Sequence, residues 1–514
     1  MYLNYLNISV FILLFINKNT QGLPHQISFQ WPSLPSTNTI DQQQHGRFIH
    51  LTDIHIDDHY EPGATIKSFC HRDPKHNKEE KNHKGKIAGY WGAPDTECDA
   101  APHMVYHTLD WIANEWKDKI DFVIWTGDNA RHDTEPDKIR RSGEEILNYN
   151  IRISELLQRK FKRSDNTSIP LIPCLGNNDV HPHNKLRGPG RWEDNTQLII
   201  YSKIWSDLIP QDQVLTFRHG GYFAMNVAPK IRVLSLNTLY FSNNNDYVDE
   251  CKDVGEPGWD HMRWIEQQLD QARQEGVKVY IMGHIPPTTK TFKSDCLHEY
   301  SNIALKYKDV IQAHFYGHMN MDHFQILHRY IDKQPIDDHE DQDEEDDGCD
   351  GDDDDDDNIN DAYEIGNGYY GDDHDVVVGG KKIAHKLRKQ YRRSLKKYDV
   401  ENDLTFIHVA PPILPVYNPT FRVNEYNKDA SSSDYGMWTK YTQWYTDLGY
   451  WNDQYELDPT TKPEFKIEYE TDKDYEMKDL SLASWLNFTR SITRKNAASR
   501  AKWSKYLDNL VVRT

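Results

Sequence analysis

The sequence has no hydrophobic run of the length that an ordinary membrane-spanning helix needs. Its most apolar stretch, from Ile8 to Ile16, is shorter than the roughly 20 residues that cross a bilayer, so residues 1–22 are predicted to form a signal peptide. The segment also lacks a basic N-terminal region and a clear small-residue cleavage site, which leaves an uncleaved signal anchor open. Both alternatives direct the chain into the secretory route, and glycosylation sequons at Asn166 and Asn487 agree with that route.

Basic residues are missing from one long segment of the chain. Between Asp337 and Asp375 there are 21 Asp and Glu residues and no Lys or Arg, so this run carries all of the formal net charge of −21. Such a run cannot bury apolar surface and is predicted to be disordered. The remainder of the chain is formally neutral, and we expect no nucleic-acid partner.

The stretch that follows the acidic run has the opposite charge. From Lys381 to Lys397 it contains nine Lys or Arg residues and no acid. Two interpretations of the acidic run stay open: it is a solvated loop without a role, or it folds over the basic stretch and screens it from a polyanion. Only under the second interpretation does removal of the acidic run raise the affinity for a polyanion.

Cysteines are few, but the six present allow disulfides in an oxidising compartment. Proximity along the chain favours two pairs, Cys70 with Cys98 and Cys251 with Cys296. Cys174 lies in an apolar strand and is predicted to be buried.

At 514 residues and 60.4 kDa the chain is long enough for one large catalytic domain with additions. Short apolar runs that end in polar residues alternate with amphipathic stretches from residue 46 onward, which predicts an α/β layered sheet with a site at the strand ends. The predicted order is a signal peptide or signal anchor (1–22), a linker (23–45), a catalytic domain (46–330), a low-complexity insertion (331–398), the final core strands of the catalytic domain (399–427) and a C-terminal extension (428–514).

The predicted strands end in side chains of the kinds that bind metals. One such turn would be unremarkable, because Gly followed by a polar residue is the usual way in which a strand ends. Several turns that each carry nitrogen or oxygen ligands are hard to attribute to chance, and mixed carboxylate, amide and imidazole ligands suit Mn, Zn, Fe or Co. The candidate ligands are Asp53, His55, Asp128, Asn177, His284, His318 and Asn320.

The motifs that carry these ligands resemble a known superfamily. The ordered set "DIH", "GDNARHD", "GNND", "GHIPP" and "GHMN" resembles the calcineurin-like metallophosphoesterases. The motifs "GYWGAPDTECD" and "APPILPVYNPTFRV" are similar to the acid sphingomyelinase-like branch. Within that branch, "GNND", "GHMNMDHF" and the acidic insertion resemble the fungal vacuolar endopolyphosphatases. The resemblance covers about residues 46–330 and 400–425.

The resemblance implies a four-layer α-β-β-α sandwich with a disordered acidic insertion and a C-terminal helical extension. It also implies two divalent metal ions (Mn, Zn, Co, Fe or Mg), of which the sequence selects none. The first ion would be bound by Asp53, His55, Asp128 and Asn320. The second would be bound by Asp128, Asn177, His284 and His318, so that Asp128 bridges the two.

Two residues depart from the family pattern. Most relatives have histidine where this chain has Asn178, and a second histidine where it has Asn320. Asn320 still offers an oxygen ligand, but Asn178 is not a proton donor of useful pKa. Expelling an alkoxide requires such a donor, since the conjugate acid has a pKa around that of water, roughly 15.7. Expelling a phosphate chain does not, since its pKa is on the order of 6. The loss of the donor therefore favours an anhydride substrate over a lipid diester.

Further candidate residues lie in or near the same motifs. Asp128 and Asn178 belong to the predicted catalytic centre together with His132, which occupies the position of a catalytic histidine in the sphingomyelinase-like branch. Asp133 is predicted to set the tautomer of His132, although a pair that merely pins the loop is the alternative. The predicted phosphate-binding residues are Arg131, His183 and Lys185.

The function predicted from these features is hydrolysis of internal phosphoanhydride bonds of inorganic polyphosphate. A secreted acid sphingomyelinase-like phosphodiesterase and a metal-binding pseudo-enzyme are the alternatives, and retention of six family ligands argues against the pseudo-enzyme. The resemblance implies a type II protein of the vacuole membrane with a lumenal catalytic domain, or a vacuole-lumen or secreted protein. It makes processing proteases plausible partners, and the sequence leaves a homo-oligomer open.

Overall fold

A computed structural model of the chain describes residues 45–75, 85–189, 195–330, 380–414 and 416–512. The predicted signal segment, nearly all of the predicted linker and the acidic run therefore lie outside the described residues. The chain divides into two units, residues 1–42 and residues 43–514, and all described residues belong to the second.

The strands of the described residues form two six-stranded sheets. The strands are β1 (His45–Leu51), β2 (Phe122–Trp125), β3 (Leu171–Pro173), β4 (Phe223–Ala228), β5 (Ile231–Ser235), β6 (Lys278–Met282), β7 (Ile311–Tyr316), β8 (His323–His328), β9 (Leu404–Val409), β10 (Thr420–Asn427), β11 (Trp438–Tyr445) and β12 (Lys466–Glu470). The first sheet has the order β12-β11-β10-β1-β2-β3 and the second has the order β4-β5-β6-β7-β9-β8. Because β1, β2 and β3 are parallel, as are β5, β6 and β7, their carboxyl ends share one edge of each sheet.

The helices follow the amphipathic stretches of the sequence. They are α1 (Pro102–Trp116), α2 (Gly143–Lys160), α3 (Thr196–Ile204), α4 (Val214–Gly220), α5 (Pro257–Glu275), α6 (Ser294–Lys306), α7 (Gly380–Lys397), α8 (Leu448–Leu457), α9 (Leu482–Thr493) and α10 (Ala497–Leu510). At the start of α2, Ser142 and Glu145 form a capping box. None of the helices in the described ranges is long and apolar enough to cross a bilayer.

The two sheets pack face to face with helices outside them. The ring of Phe48 in β1 lies 5.5 Å from the ring of Phe315 in β7. The preceding residue of β7, His314, points to the opposite face of the sheet and contacts α6. The hydroxyl of Tyr300 in α6 lies 2.7 Å from Nδ1 of His314. On the first sheet, Trp111 of α1 packs on Phe421 of β10. The predicted four-layer α-β-β-α sandwich is therefore confirmed.

The C-terminal extension differs from the prediction, because residues 428–514 are not only helical. They include β11 and β12, which extend the first sheet beyond β10. Trp438 of β11 is buried against Phe315, with 5.1 Å between ring centroids. The backbone N–H of Asp322, two residues beyond Asn320, donates to the carbonyl of Leu510 in α10 at 3.0 Å. The extension is thus packed into the same core as the loop that carries Asn320.

Both predicted disulfides are present, Cys70–Cys98 and Cys251–Cys296, and Cys174 is a buried free thiol as predicted. The sequon residues Asn166 and Asn487 are both exposed, as a glycan acceptor has to be.

Candidate active site

The seven candidate ligands lie in the loops that follow the carboxyl ends of β1, β2, β3, β6 and β7. Five of them adopt left-handed backbone, which is sparsely populated for residues other than glycine and costs on the order of 1–3 kcal/mol each. These are Asp53 (φ 50°), His55 (φ 40°), Asp128 (φ 56°), His318 (φ 71°) and Asn320 (φ 53°). Strain of this kind persists only where surrounding structure holds it, and its concentration in one loop cluster marks a functional site.

Two glycines let these loops approach the ligands. A Cβ at Gly317 would lie 1.9 Å from Oγ1 of Thr52 and 2.3 Å from Oδ2 of Asp53. A Cβ at Gly176 would lie 2.0 Å from Oδ1 of Asp128. The glycines that open "GHMN" and "GNND" are therefore required because backbone packs directly on the two carboxylates.

The ligand atoms converge on two overlapping positions. Those of Asp53, His55 and Asp128 lie within 4.8 Å of one another, and so do those of Asp128, His284 and His318. Asp128 belongs to both groups, which is the geometry of a bridging carboxylate.

The second position also includes an amide oxygen. Oδ1 of Asn177 lies 2.8 Å from Nε2 of His284 and 2.9 Å from Nδ1 of His318. Three protein atoms of the kinds that bind divalent metals thus surround one point next to Asp128.

The tautomers of two histidines show what the site is built to bind. Nδ1 of His55 faces the carbonyl of Ala130 at 3.0 Å and Nδ1 of His284 faces the carbonyl of Thr126 at 2.7 Å. A carbonyl only accepts, so both Nδ1 atoms carry hydrogen, and in the neutral imidazoles both Nε2 atoms present a lone pair. Nε2 of His284 lies 3.0 Å from Oδ2 of Asp128. Two acceptors at this distance need a proton or a metal ion between them, and a histidine anchored through its other nitrogen is the usual metal ligand.

Two atoms of the first position have no hydrogen-bond partner among the described residues. Nε2 of His55 and Oδ1 of Asn320 are both buried and unpaired, a condition that costs about 1–3 kcal/mol per group. Nε2 of His55 lies 3.5 Å from Asp53 and 3.6 Å from Asp128, too far for a good hydrogen bond. A divalent cation would satisfy all four groups, so the residues fit a two-metal centre.

The carboxylates shift the proton affinity of the imidazoles. Burial would lower the pKa of His55, but Asp53, Asp128 and Asp99 outweigh it and raise the pKa to about 9. Burial is opposed in the same way at His284, where Asp128 raises the pKa to about 9. Without a metal the site therefore attracts protons, and metal binding has to displace them.

Asp179, the last residue of "GNND", holds two ligand loops together. Its Oδ2 accepts from the backbone N–H groups of Asp128 at 2.8 Å and Gly176 at 3.0 Å. Its Oδ1 accepts from the N–H of Asn129 at 2.9 Å and from Nδ2 of Asn150 at 3.1 Å. Burial and the charge of Asp128 raise the pKa of Asp179. Asp179 was not among the site residues predicted from the sequence, although its place in "GNND" was the available signal.

Asn178 links the bridging carboxylate to a buried cation. Its backbone N–H donates to Oδ1 of Asp128 at 2.8 Å and its Nδ2 donates to Oδ2 at 3.0 Å. Its Oδ1 accepts from Nη1 of Arg141 at 2.6 Å. Both ends of the Asn178 amide are thus in use, and the side chain is completely buried. Arg141 was not predicted from the sequence.

His132 lies beside the first metal position, where its ring stacks on that of His55 with 4.1 Å between centroids. The prediction that Asp133 sets its tautomer is wrong. Asp99 lies 2.8 Å from Nδ1 of His132 and also accepts from its backbone N–H at 2.6 Å, whereas Asp133 accepts from the backbone N–H of Arg141. The signal for Asp99 was its place in "GYWGAPDTECD", next to a disulfide cysteine.

The three predicted phosphate-binding residues have other partners. Arg131 is completely buried and donates from Nε to Glu145 at 2.7 Å, so the predicted phosphate contact is wrong. His183 accepts from Nδ2 of Asn177 at 3.0 Å, which turns the Asn177 oxygen toward the metal position. Lys185 lies in an ion pair with Asp246 at 2.9 Å.

A buried charge cluster supports the same loops from behind. The ring of His71 lies between Asp57, at 2.8 Å from Nε2, and Glu135, at 3.0 Å from Nδ1. Both ring nitrogens therefore donate. Burial opposes the charge, but the two carboxylates outweigh it and raise the pKa of His71. Asp57 is two residues from His55, so this cluster fixes the first ligand loop.

Comparison with known proteins agrees with this geometry. A family model described as calcineurin-like phosphoesterase matches residues 46–321. The chain belongs to this family, and the family implies a site for two divalent metal ions.

Several curated relatives carry the name endopolyphosphatase. The protein of Cryptococcus neoformans is 35% identical over 74% of this chain and 58% of its own length. That of Yarrowia lipolytica is 32% identical over 76% and 57%, and that of Saccharomyces cerevisiae is 37% identical over 55% and 41%. The chain thus spans about half of the length of these relatives. A solved structure, a dimetal phosphatase from Danio rerio, is 11% identical with a TM-score of 0.31 over 54% of this chain and 82% of its own.

Proposed function

We propose that this protein is a metal-dependent endopolyphosphatase, which hydrolyses internal phosphoanhydride bonds of inorganic polyphosphate to give shorter chains. The names of the curated relatives support the proposal. The observation that carries it is the state of Asn178, whose amide is bound at one end to Asp128 and at the other to Arg141.

The chemistry at this site does not need a proton donor at Asn178. When bound, two divalent ions supply an activated water and neutralise charge on the phosphoryl oxygens. The leaving phosphate chain departs as an anion, because its pKa is on the order of 6. Asn178 instead holds both oxygens of Asp128 in place, and Asp179 holds the backbone of the same residue. His183 holds the Asn177 amide so that its oxygen faces His284 and His318.

A second candidate is phosphodiester hydrolysis of the sphingomyelinase type, and His132 favours it. Its Nδ1 is bound to Asp99, and its Nε2 makes no hydrogen bond to any described residue. A histidine oriented in this way is able to protonate an alkoxide. The same arrangement also serves to bind a phosphoryl oxygen of polyphosphate.

We further propose that the protein acts in the vacuole lumen, held by an N-terminal type II anchor. Two disulfides and two exposed sequon residues support an oxidising lumenal environment. Glycosidase treatment that shifts the protein on a gel, and fractionation with vacuole membranes, are the expected results. A protein that is unglycosylated and cytosolic would refute this part of the proposal.

The test of activity is digestion of long-chain polyphosphate followed on a gel, with Mn²⁺ or with chelator. The wild type is expected to produce mid-sized fragments early in the reaction, and chelator is expected to abolish them. Asp128→Asn should remove activity because it alters the carboxylate that both metal positions share. Asp458→Asn, in an exposed turn, is the matched control and should behave as the wild type.

The outcomes separate the two candidates. Loss of terminal phosphate without mid-sized fragments would replace internal cleavage by cleavage from the chain end. An unchanged polyphosphate ladder together with metal-dependent cleavage of an alkyl phosphodiester would establish the second candidate and refute the first.

A further inference from the structure

The basic stretch that follows the acidic run is folded as helix α7, which has one buried, largely apolar face and one exposed, basic face. Ala384, Leu387 and Tyr391 are buried. The exposed cations fall within about 100° of the helix circumference and extend over about 16 Å of its length. They are Lys386, Lys389, Arg393, Lys396 and Lys397.

The helix is attached firmly to the catalytic core. The ring of Tyr391 stacks on Phe324 at 4.4 Å, and its hydroxyl donates to the Phe324 carbonyl at 2.6 Å. Nε of Arg392 donates to the carbonyl of Thr493 in α9 at 2.8 Å. Phe324 is in β8, only four residues after Asn320, so the basic face is borne by the strand that leaves the metal loop.

The cations of this face create a positive potential that reaches their neighbours. Burial lowers the pKa of His328 in β8 to about 4, and the charges of Lys397 and Arg393 add to that effect. Like charges four residues apart on a helix, such as Lys389 with Arg393, destabilise it by a few tenths of a kcal/mol. A row of repelling cations on a rigid support is suited to a ligand that carries negative charge at regular intervals.

We propose that the exposed face of α7 binds long-chain polyphosphate and holds it beside the metal site. This inference rests on the proposed function, because it concerns the same substrate. One bond of a polyphosphate molecule reacts at the metal site while a distant part of that molecule binds α7. Polyphosphate fits since it is linear and carries about one negative charge per unit, which matches a straight row of cations better than a compact anion does.

The test measures binding separately from cleavage. End-labelled polyphosphate is titrated in the presence of EDTA against the wild type and against a triple variant with Lys389→Gln, Lys396→Gln and Lys397→Gln. We expect the dissociation constant of the variant to rise about tenfold, since exposed charge pairs contribute modestly and three are lost. The slope of log affinity against log salt should fall by about 2.

Kinetics and a matched variant complete the test. With Mn²⁺, the triple variant should show a raised KM for long chains and an unchanged kcat, and its KM for tetrapolyphosphate, the shortest chain with an internal anhydride bond, should stay within twofold. A control in which Gln replaces three exposed lysines on other elements should match the wild type. The control positions are Lys203, Lys462 and Lys478.

Two results would overturn the proposal. The first is a triple variant that binds polyphosphate as the wild type does. The second is an equal loss of affinity for a DNA oligonucleotide of the same charge, which would make the face a general polyanion surface. A wild type that binds polyphosphate through α7 without cutting it would refute the proposed function and leave this inference standing.

Discussion

Replacement of Asp179 by Asn gives a sharp test of how the metal loops are held. The two side chains have the same shape, so the change leaves packing intact and removes one acceptor oxygen with its charge. The carboxylate of Asp179 accepts four N–H groups at 3.1 Å or less, two on each oxygen. An amide keeps only two of them, and its NH₂ group would then face the other two donors.

The cost of Asp179→Asn follows from these contacts. Hydrogen bonds to a charged acceptor contribute about 1.5–3 kcal/mol each, and two are lost. Removal of a buried carboxylate whose pKa is raised by burial offsets part of that loss. We expect the free energy of unfolding to fall by about 3 kcal/mol, a large share of the 5–15 kcal/mol that stabilises an ordinary protein. Because the released N–H groups belong to Asp128 and Gly176, metal affinity should fall about tenfold or more.

The measurement is urea unfolding in chelator, followed by tryptophan fluorescence, together with calorimetric titration of Mn²⁺. Asp458→Asn is again the control, since the side chain of Asp458 accepts only within an exposed turn. Ordinary surface substitutions change the free energy of unfolding by less than about 0.5 kcal/mol. A change of that size or smaller, with metal affinity unchanged, would refute the role given to Asp179.

Three further predictions follow from the site. Arg141→Gln should lower kcat/KM for polyphosphate about tenfold or more, measured as initial rates, because the Asn178 amide loses the donor that fixes its orientation; an unchanged rate in a folded variant would contradict this. The pKa of His71 is raised in the folded protein. The charged imidazole therefore contributes its full stabilisation below the unfolded pKa of about 6.5, and that stabilisation is lost as the pH rises through the folded pKa. The difference in unfolding free energy between wild type and His71→Gln should therefore shrink from about pH 6 upward, and a difference independent of pH would be evidence against it. Cys70→Ser with Cys98→Ser should cost about 3–4 kcal/mol of unfolding free energy for a closed loop of 28 residues, and equal denaturation midpoints with and without the bond would contradict that estimate.

The candidate metal ligands were predictable because they follow one simple rule. Asp53, Asp128 and His284 each come just after an apolar strand, and parallel strands bring such positions to one edge. The same alternation of apolar runs and amphipathic stretches predicts the layers of the fold. The left-handed backbone at five of these positions was not predictable, since it depends on the loops that pack around them.

The residues that support the ligands were harder to predict, because their contacts are long-range. Asp133 adjoins His132 in sequence, but the partner of the ring is Asp99, which follows the disulfide-bonded Cys98 and lies 33 residues before His132. A neighbour in the sequence is therefore a poor guide to the partner of a buried histidine.

The arginine that contacts the site was also mispredicted, because its partners are distant in the sequence. Arg131 is beside His132, yet Glu145 and Asp57 draw its guanidinium into the core. Arg141 is ten residues away and contacts Asn178. Which of two arginines faces a site depends on where the acids of other elements lie, and no local pattern records this.

The hydrogen bond from Asp322 to the carbonyl of Leu510 has a consequence for biosynthesis. A ribosome that adds about 5–20 residues per second makes the last candidate ligand, Asn320, on the order of ten to forty seconds before Leu510 exists. During that interval the nascent chain already carries every ligand, while the segment that closes their loop is still missing. A chain released before Leu510 is made would therefore bear the metal-binding motifs without the contact that holds their last loop.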